Sequence, residues 1–278
     1  MSLRSAIAES SKLIALRDAE VLLAHILGRD RAFILAHIND PLSAERLTQL
    51  RALTSRRAAH TPLQHLTGEQ EFYGLTFRVT PDTLIPRPET ELLVEAVLNS
   101  IAEKPTLSHP LRLLDVGTGT GAIPIALATH LPTAKLTAID LSPAALAIAR
   151  ENAARHRVSG RIRFVESDLL AALPEESFDI IISNPPYVSL ADAPTLAPEV
   201  RDHEPHLALF AGPDGLAIYR LLIPQAHAAL VPGGLLALEL GFGQSASVRA
   251  LLPENLWHNI RILDDYAGIP RIVFAERR

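Results

Sequence analysis

The chain has 278 residues, of which 48% are hydrophobic and 21% charged, an ordinary composition for a globular protein of one or two domains. A net charge of −5 argues against binding to nucleic-acid phosphates, which requires a clustered basic surface. The chain has no cysteine, which excludes disulfides and thiolate metal sites, and no apolar run approaches the ~18 residues that span a bilayer. We therefore expect a soluble, cytoplasmic protein that binds neither membranes nor, stably, nucleic acid.

Residues 1–70 predict a small helical domain. Apolar residues recur at helical spacing from Leu13 to Leu27, and Gly28 is suited to end that helix. Ser43 begins a further helix after the break at residues 39–41. An arginine cluster in this region is interpreted as a solvated helix face; it comprises Arg46, Arg51, Arg56 and Arg57.

Residues 71–88 predict a hairpin-containing linker, because glycines and prolines interrupt short β-like pieces there. From Leu111 onward, short apolar runs alternate with helical segments near 122–130, 143–155, 216–230 and 244–251. Such alternation predicts an α/β domain over 89–278, with a doubly wound, mainly parallel sheet of seven strands. Only a short loop separates the last two strands, so we expect them to pair antiparallel at one edge.

A glycine-rich turn follows the first strand of this domain, in LLDVGTGTGAIPIAL (113–127). Gly117, Gly119 and Gly121 let the backbone turn tightly and let a ligand approach closely. Asp140 ends the next strand, where an acidic side chain commonly accepts hydrogen bonds from ribose hydroxyls. Gly117, Gly119 and Ala122 also fit the dinucleotide pattern G-x-G-x-x-G/A. On this motif alone, a dehydrogenase that uses NAD or NADP remains possible.

The fourth strand ends in Asn-Pro-Pro-Tyr, residues 184–187, a tetrapeptide that two adjacent prolines make rigid. The side-chain oxygen of Asn184 and the carbonyl of Pro185 can accept both N–H bonds of a planar amino group, and Tyr187 can stack on it. That arrangement positions a weak nucleophile beside an activated methyl donor, without a strong general base. The tetrapeptide therefore favours methyl transfer over hydride transfer, and it leaves open whether the acceptor is a carboxamide or a base amine.

The segments DVGTGTGAI, NPPYV and TLIPRPETELLVE resemble the HemK family over essentially the whole chain. Members of that family are protein methyltransferases that use S-adenosylmethionine and modify the glutamine of the Gly-Gly-Gln motif in class 1 release factors. The resemblance implies a class I, Rossmann-like methyltransferase domain with one antiparallel edge strand, after a helical domain that docks the release factor and a hairpin linker. It also implies S-adenosylhomocysteine as the second product and no metal.

Transferred to this sequence, the resemblance places the acceptor site at Asn184, Pro185, Pro186 and Tyr187. It places the donor site at Gly117, Thr118, Gly119, Thr120, Gly121, Asp140, Asp168, Leu169 and Asn184. Some relatives carry a bulky aromatic residue at the position of Leu169. Arg87 and Glu89, in the IPRPET segment, would close over the crevice and fix either its loops or the charged end of the donor.

Other interpretations stay open at this point. Asp168 could simply form a turn, and Arg87 and Glu89 could belong to a capped helix start. NPPY also occurs in enzymes that methylate amino groups of nucleic-acid bases, although the N-terminal region lacks the basic surface that those enzymes need. A non-catalytic nucleoside-binding module would leave the Pro-Pro-Tyr loop unexplained. His203 and His206 are interpreted as polar loop residues, and a monomer is expected.

Overall fold

The computed structural model describes residues 1–103 and 110–278; residues 104–109, which belong to the predicted methyltransferase domain, lie outside the described part. The described chain divides into two compact units, one of Met1–Glu69 with Ala197–His203 and one of Gln70–Leu196 with Glu204–Arg278. Within the described ranges, no helix combines the length and apolarity needed to cross a membrane.

The helices, in chain order, are α1 (Leu3–Ser10), α2 (Leu16–Leu27), α3 (Arg31–Ala36), α4 (Ala44–Ala58), α5 (Leu63–Thr67), α6 (Pro88–Ala102), α7 (Ala122–His130), α8 (Pro143–Arg155), α9 (Pro198–His203), α10 (Ala217–Ala229) and α11 (Ser245–Ala250). The strands are β1 (Glu69–Phe72), β2 (Leu75–Arg78), β3 (Arg112–Val116), β4 (Lys135–Asp140), β5 (Ile162–Glu166), β6 (Phe178–Ser183), β7 (Leu230–Glu239), β8 (Trp257–Asp264) and β9 (Pro270–Arg277).

The first unit is helical, and its helix ends follow from local chemistry. The hydroxyl of Ser43 accepts a hydrogen bond from the Arg46 N–H at the start of α4, and Gly28 ends α2 in the left-handed conformation. Leu13 lies between the two helices, because α1 stops at Ser10 and α2 starts only at Leu16, and both leucines are exposed. The continuous helical pattern predicted from Leu13 is therefore wrong at its beginning.

Helix α9 belongs to this first unit although it lies far along the chain. Its Glu199 forms an ion pair with Arg57 on α4, and Arg57 also pairs with Asp18 on α2 at 2.7 Å. Arg51 pairs with Glu9 on α1. Two members of the arginine cluster thus form ion pairs that join helices rather than a simple solvated face.

The second unit begins with a β1–β2 hairpin and is built on a seven-stranded sheet. Tyr73 and Gly74 both have positive φ angles, of 53° and 71°, which suits the tight turn between the two hairpin strands. The sheet order is β5-β4-β3-β6-β7-β9-β8, with β9 antiparallel to both of its neighbours and the other pairs parallel. The predicted mainly parallel sheet and the antiparallel pairing of the last two strands are confirmed. The antiparallel strand β9 inserts between β7 and β8, so β8 forms the edge.

Both faces of the sheet are covered, as buried parallel strands require. Leu113 and Leu114, neighbours on β3, point to opposite faces and belong to different apolar cores. The first core packs against α6, α7 and α8, and the second against α10 and α11. The chain runs outward from β3 to β5 and returns to the other side of β3 with β6, so the strand order reverses between β3 and β6. Ligands of open parallel sheets bind at this point, outside the carboxyl ends of the strands.

Candidate active site

A crevice lies at the carboxyl ends of β3, β4, β5 and β6, and most of the site residues predicted from the sequence line it. Those lining residues are Gly117, Gly119, Asp140, Asp168, Leu169, Asn184, Pro185 and Pro186. The remaining predicted residues do not line it; they are Arg87, Glu89, Thr118, Thr120, Gly121 and Tyr187. Parallel strands end at the same edge of a sheet, which is why positions scattered over 70 residues of sequence meet there.

The glycine turn after β3 needs glycine for two different reasons. Gly117 and Gly119 have φ angles of 75° and 54°, and a Cβ at either position would meet no atom within 4 Å. The space in front of both is therefore open to a ligand. Gly121 has a φ of 79°, and a Cβ there would lie 3.1 Å from the Cβ of Ala149 on α8. Close helix packing accounts for Gly121, and its contact with a donor stays a prediction.

Asp140 holds the shape of this turn with its carboxylate. Its Oδ2 accepts a hydrogen bond from the Gly119 N–H at 2.8 Å, and its Oδ1 accepts one from the Ser142 N–H at 2.9 Å. Burial raises the pKa of Asp140, while the hydrogen bonds from Ser142 and Gly119 act in the opposite direction. Each carboxylate oxygen retains capacity for a second donor, as a ribose hydroxyl would supply. The helix cap after it is supplied separately by Ser142, whose hydroxyl accepts from the Ala145 N–H.

Two buried polar side chains beside the turn lack hydrogen bonds in the described part of the chain. Both carboxylate oxygens of Asp115 and the hydroxyl of Thr118 are inaccessible to solvent and unpaired there. Burial raises the pKa of Asp115 to about 7; the nearby Thr118 hydroxyl partly offsets this rise without meeting hydrogen-bond geometry, and Asp140 adds to it. A buried carboxylate without partners is costly. Asp115 does not line the crevice, but its neighbours Val116 and Gly117 do, so a cation bound in the crevice would reduce this cost without touching the carboxylate.

The loop after β6 leaves acceptor oxygens available for a ligand. Ser183 fixes the strand end by donating its hydroxyl to the Val116 carbonyl on β3, at 2.7 Å. The carbonyl of buried Pro185 accepts no hydrogen bond within the described residues. Asn184 lines the crevice and donates its side-chain N–H to the hydroxyl of Thr90 on α6, at 2.9 Å. The amide nitrogen of Asn184 is thus engaged, and its oxygen is the atom left for a ligand.

Tyr187 is held from two directions. Its backbone carbonyl accepts a hydrogen bond from Gln244 Nε2 at 2.8 Å, and its hydroxyl lies 3.4 Å from Glu239 Oε1 at the end of β7. Burial and the nearby Glu239 carboxylate raise the pKa of Tyr187, so its phenol stays neutral at physiological pH. Tyr187 is therefore available as a fixed aromatic ring rather than as a base.

Arg87 is committed to a buried carboxylate. Its Nη2 lies 2.6 Å from Glu204 Oε1, and the Glu204 side chain is only 1% exposed. The other oxygen of Glu204 accepts from the Ile85 N–H at 3.3 Å. This pair ties the IPRPET segment to the chain before Pro205, which lines the crevice. The contact matches the alternative in which Arg87 fixes loop geometry; Glu89 is an exposed residue in the first turn of α6.

Asp168 and Leu169 follow β5 at the far end of the crevice. Asp168 is exposed, and Leu169 is half-buried with a φ of 47°, which is uncommon for a residue with a side chain. Leu169 packs against the second core, so an apolar surface is present where some relatives carry an aromatic ring. Asp168 has an open position for a ligand contact, and that contact stays a prediction.

Sequence reasoning missed several residues that shape the site. Asp82, Thr83 and Leu84, after the hairpin, and Leu207 and Ala208, after α9, line the crevice. Asn152 on α8 donates to the Thr120 carbonyl and so holds the glycine turn from behind. Glu239 carried a readable signal, since a carboxylate within the apolar run LLALEL is out of pattern for a buried strand.

The residues present fit a nucleoside that bears a cationic group. Three features lie at one end of β3 and β4: glycines with open space, a strand-terminal carboxylate with spare acceptor capacity, and a buried carboxylate that is unpaired within the described residues. No cluster of three or more His, Cys, Asp or Glu side chains within residues 1–103 and 110–278 is placed to hold a metal ion. His206 packs edge-on against Phe210, with ring centroids 5.2 Å apart.

Comparison with known families gives two matches along the chain. Residues 3–68 match the PrmC N-terminal domain, and residues 89–199 match the methyltransferase small domain. The curated protein from Geobacter sulfurreducens named release factor glutamine methyltransferase is 42% identical over 97% of this chain and 92% of its own length. Proteins of the same name from Cereibacter sphaeroides and Escherichia coli are 46% and 42% identical over 94% and 93% of this chain, each with 91% of its own length covered.

Solved structures support the fold. The hMettl16 catalytic domain aligns over 80% of this chain and 81% of its own, with a TM-score of 0.58 and 17% identity. A methyltransferase from Pyrococcus furiosus aligns over 80% of this chain and 98% of its own, with a TM-score of 0.52 and 20% identity. At such identities these similarities concern the Rossmann-like methyltransferase fold alone.

Proposed function

The chain belongs to the family of release factor glutamine methyltransferases, and we propose that it methylates the side-chain amide nitrogen of the glutamine in the Gly-Gly-Gln motif of translation release factors, with S-adenosylmethionine as donor. One structural observation supports this proposal above the others. Gly119 and Asp140, suited to a nucleoside, line the same crevice as Asn184 and Pro185, suited to a planar amino group. A methyl donor and an amide acceptor could therefore meet in one place.

The donor would be held by the glycine turn and the strand ends around it. Asp140 would accept from the ribose hydroxyls, and the open backbone at Gly117 and Gly119 would let the ligand approach closely. The buried carboxylate of Asp115, unpaired within the described residues, would be compensated by a cationic group nearby. When bound, S-adenosylmethionine supplies an electrophilic methyl group on a sulfonium sulfur, which keeps the electron pair of the broken carbon–sulfur bond.

The acceptor amide would be held by oxygens that the protein has already fixed. Asn184 Oδ1 and the Pro185 carbonyl would accept its two N–H bonds and stabilise the positive charge that develops on nitrogen. Tyr187 would stack on the planar amide and orient its lone pair toward the methyl carbon. As the new carbon–nitrogen bond forms, the nitrogen loses one proton to solvent. Neutral Tyr187 and the amide of Asn184 do not act as bases in this scheme.

The proposal is tested by incubating the purified protein with donor labelled in its methyl group and with three acceptors. These are a class 1 release factor, the same factor with its Gly-Gly-Gln glutamine changed to alanine, and bulk RNA. We expect label on the intact factor and none on the alanine version or on RNA, because the proposed acceptor oxygens of Asn184 and Pro185 would pair with one amide group. Label on RNA with an unlabelled release factor would overturn the assignment in favour of a base amine.

A further inference from the structure

A chain of hydrogen bonds behind the acceptor site connects three elements of the second unit. Thr90, in the first turn of α6, donates its hydroxyl to Glu239 Oε2 at 2.7 Å and accepts from Asn184 Nδ2 at 2.9 Å. Glu239 is the last residue of β7, and Asn184 directly follows β6, which pairs in parallel with β7. Thr90 and Glu239 are 5% and 1% exposed. Neither side chain lines the crevice.

The direction of this chain of bonds fixes the orientation of the Asn184 amide. A hydroxyl has one hydrogen to donate. If Thr90 gives it to the Glu239 carboxylate, it can only accept from Asn184, so the NH2 group of Asn184 must face Thr90. The oxygen of Asn184 then faces away from Thr90, and it accepts no hydrogen bond within the described residues. If the Asn184 amide were reversed, its NH2 group would face the N–H groups of the acceptor amide, and no hydrogen bond could form between them.

We propose that Thr90 and Glu239 are positioning residues for methyl transfer, which orient Asn184 so that its side-chain oxygen faces the acceptor. The expected effect on kinetics rests on the proposed function, whereas the hydrogen-bond geometry does not. Glu239 supports Tyr187 as well, since its second oxygen lies 3.4 Å from the Tyr187 hydroxyl. The backbone carbonyl of Glu239 accepts from the Tyr219 hydroxyl at 2.7 Å, which fixes the end of β7.

The kinetic test compares Thr90→Val, which removes the hydroxyl at constant shape, with Thr90→Ser, which keeps it. Thr90→Val should lower kcat about tenfold or more, because it removes a hydrogen bond to a charged group and with it the free energy that holds Asn184 in the required orientation. The donor Kd, measured by calorimetry, should stay within about twofold, because Thr90 does not line the crevice. Thr90→Ser should restore kcat to within about threefold of the wild type.

Thr137→Val is the matched control for loss of a buried threonine hydroxyl. Thr137 lies on β4, is 8% exposed and does not line the crevice. We expect Thr137→Val to lower thermal stability as Thr90→Val does and to leave kcat unchanged. Equal kcat for Thr90→Val and the wild type would overturn the proposal, as would a loss of kcat that Thr90→Ser does not restore.

The pH profile gives a readout that a merely structural role would not move. Burial is the main cause that raises the pKa of Glu239 to about 7, and the nearby Glu89 on α6 raises this pKa further. The hydrogen bonds from Thr90 and Tyr187 and the positive charge of Arg271 on β9 act in the opposite direction. Protonated Glu239 can donate to Thr90, which can then donate to Asn184 and reverse its amide. We expect kcat to rise as pH passes through about 7, and Glu239→Gln to remove this step. Retention of the step in Glu239→Gln would contradict the proposal.

A spectroscopic measurement separates this inference from the proposed function. The side-chain NH2 resonance of Asn184, assigned by its absence in Asn184→Asp, should shift in Thr90→Val and stay in place in Thr90→Ser. The shift requires no acceptor, so it tests the geometry even if the wild type fails to label release factor. An Asn184 resonance that is the same in the wild type and Thr90→Val would overturn the proposed orientation.

Discussion

Gln244 Nε2 donates to the backbone carbonyl of Tyr187 at 2.8 Å, across 57 positions of sequence. The side-chain oxygen of Gln244 accepts from the Gly241 N–H at 3.2 Å, so the glutamine is itself fixed by the turn after β7. Gly215 lies against the same carbonyl: a Cβ at position 215 would overlap the Tyr187 oxygen. The rigid Asn-Pro-Pro-Tyr loop is therefore also clamped from outside by two segments that follow it in the chain.

Gly215→Ala should displace the Tyr187 loop and lower kcat about tenfold or more, because positioning of the acceptor is expected to supply much of the catalysis. Gly215 has a φ of +74°, so the substitution also strains the backbone by about 1–2 kcal/mol. Steady-state kinetics and urea denaturation measure the two effects separately.

Gly233→Ala is the control for the strain alone, since Gly233 has a φ of +75° and nothing within 4 Å of its would-be Cβ. Gly233→Ala should lose only the stability that the backbone strain costs, less than Gly215→Ala loses, and it should keep its kcat. If both variants had the same kcat relative to the wild type, the clamp on Tyr187 would have no catalytic role.

Asn184→Ala should reduce kcat at least about a hundredfold, the effect seen when one preorganised polar contact to developing charge is lost. Donor affinity should change little, because the backbone of the glycine turn and the carboxylate of Asp140 remain in place. Calorimetric titration with donor and a methylation assay with release factor provide the two measurements.

Asn184→Asp is the near-isosteric companion to this variant. Its carboxylate cannot donate to Thr90 and lies near buried Glu239, so we expect it to be as inactive as Asn184→Ala. A large loss of donor affinity in Asn184→Ala would instead place this side chain mainly in the donor pocket.

Asp140→Ala should weaken donor binding about tenfold to a hundredfold, in line with the loss of hydrogen bonds to a charged group. The expected loss has two sources, the ribose contact and the bond that holds the Gly119 N–H. Asp168→Ala, at an exposed position of the same crevice, should weaken binding less. Calorimetry with S-adenosylhomocysteine ranks the two, and unchanged affinity in Asp140→Ala would remove the ribose role.

Asp115→Asn should make the donor-free protein more stable at alkaline pH. Folding raises the pKa of Asp115 from 3.8 to about 7, so the folded chain holds this proton more tightly than the unfolded chain does. The contribution of this proton to the stability of the folded protein is complete below the pKa that Asp115 has in the unfolded chain, and it is lost as pH rises through about 7. At about pH 8, Asn should therefore stabilise by roughly 2 kcal/mol, about half of what the full shift implies.

At about pH 4, where Asp115 is largely protonated in the folded state, the two proteins should differ by less than about 1 kcal/mol. Urea denaturation at the two pH values checks this difference. If Asp115→Asn destabilised the protein equally at both pH values, the Asp115 carboxylate would have to make a stabilising interaction in the folded protein, which would contradict this prediction.

The sequence by itself determined the fold class and the chemical character of the site. Alternating apolar runs and helical segments predicted the parallel sheet, since burial of both sheet faces imposes that pattern locally. Gly117, Asp140 and Asn184 could be read as one site because each follows the end of a strand, and parallel strands end at one edge. These inferences depend only on properties that neighbouring residues share.

Only the tertiary structure decided what holds those residues in place. Thr90, Glu239 and Gln244 lie in other segments of the chain, and nothing in their local sequence indicates that they contact the Asn-Pro-Pro-Tyr loop. Helix α9 likewise joins the first unit from far along the chain, with its Glu199 in an ion pair with Arg57 on α4. Such partners are selected by three-dimensional packing of distant segments. Even Glu239, which is out of pattern in its apolar strand, indicates only an unusual buried carboxylate and not the residues that it contacts.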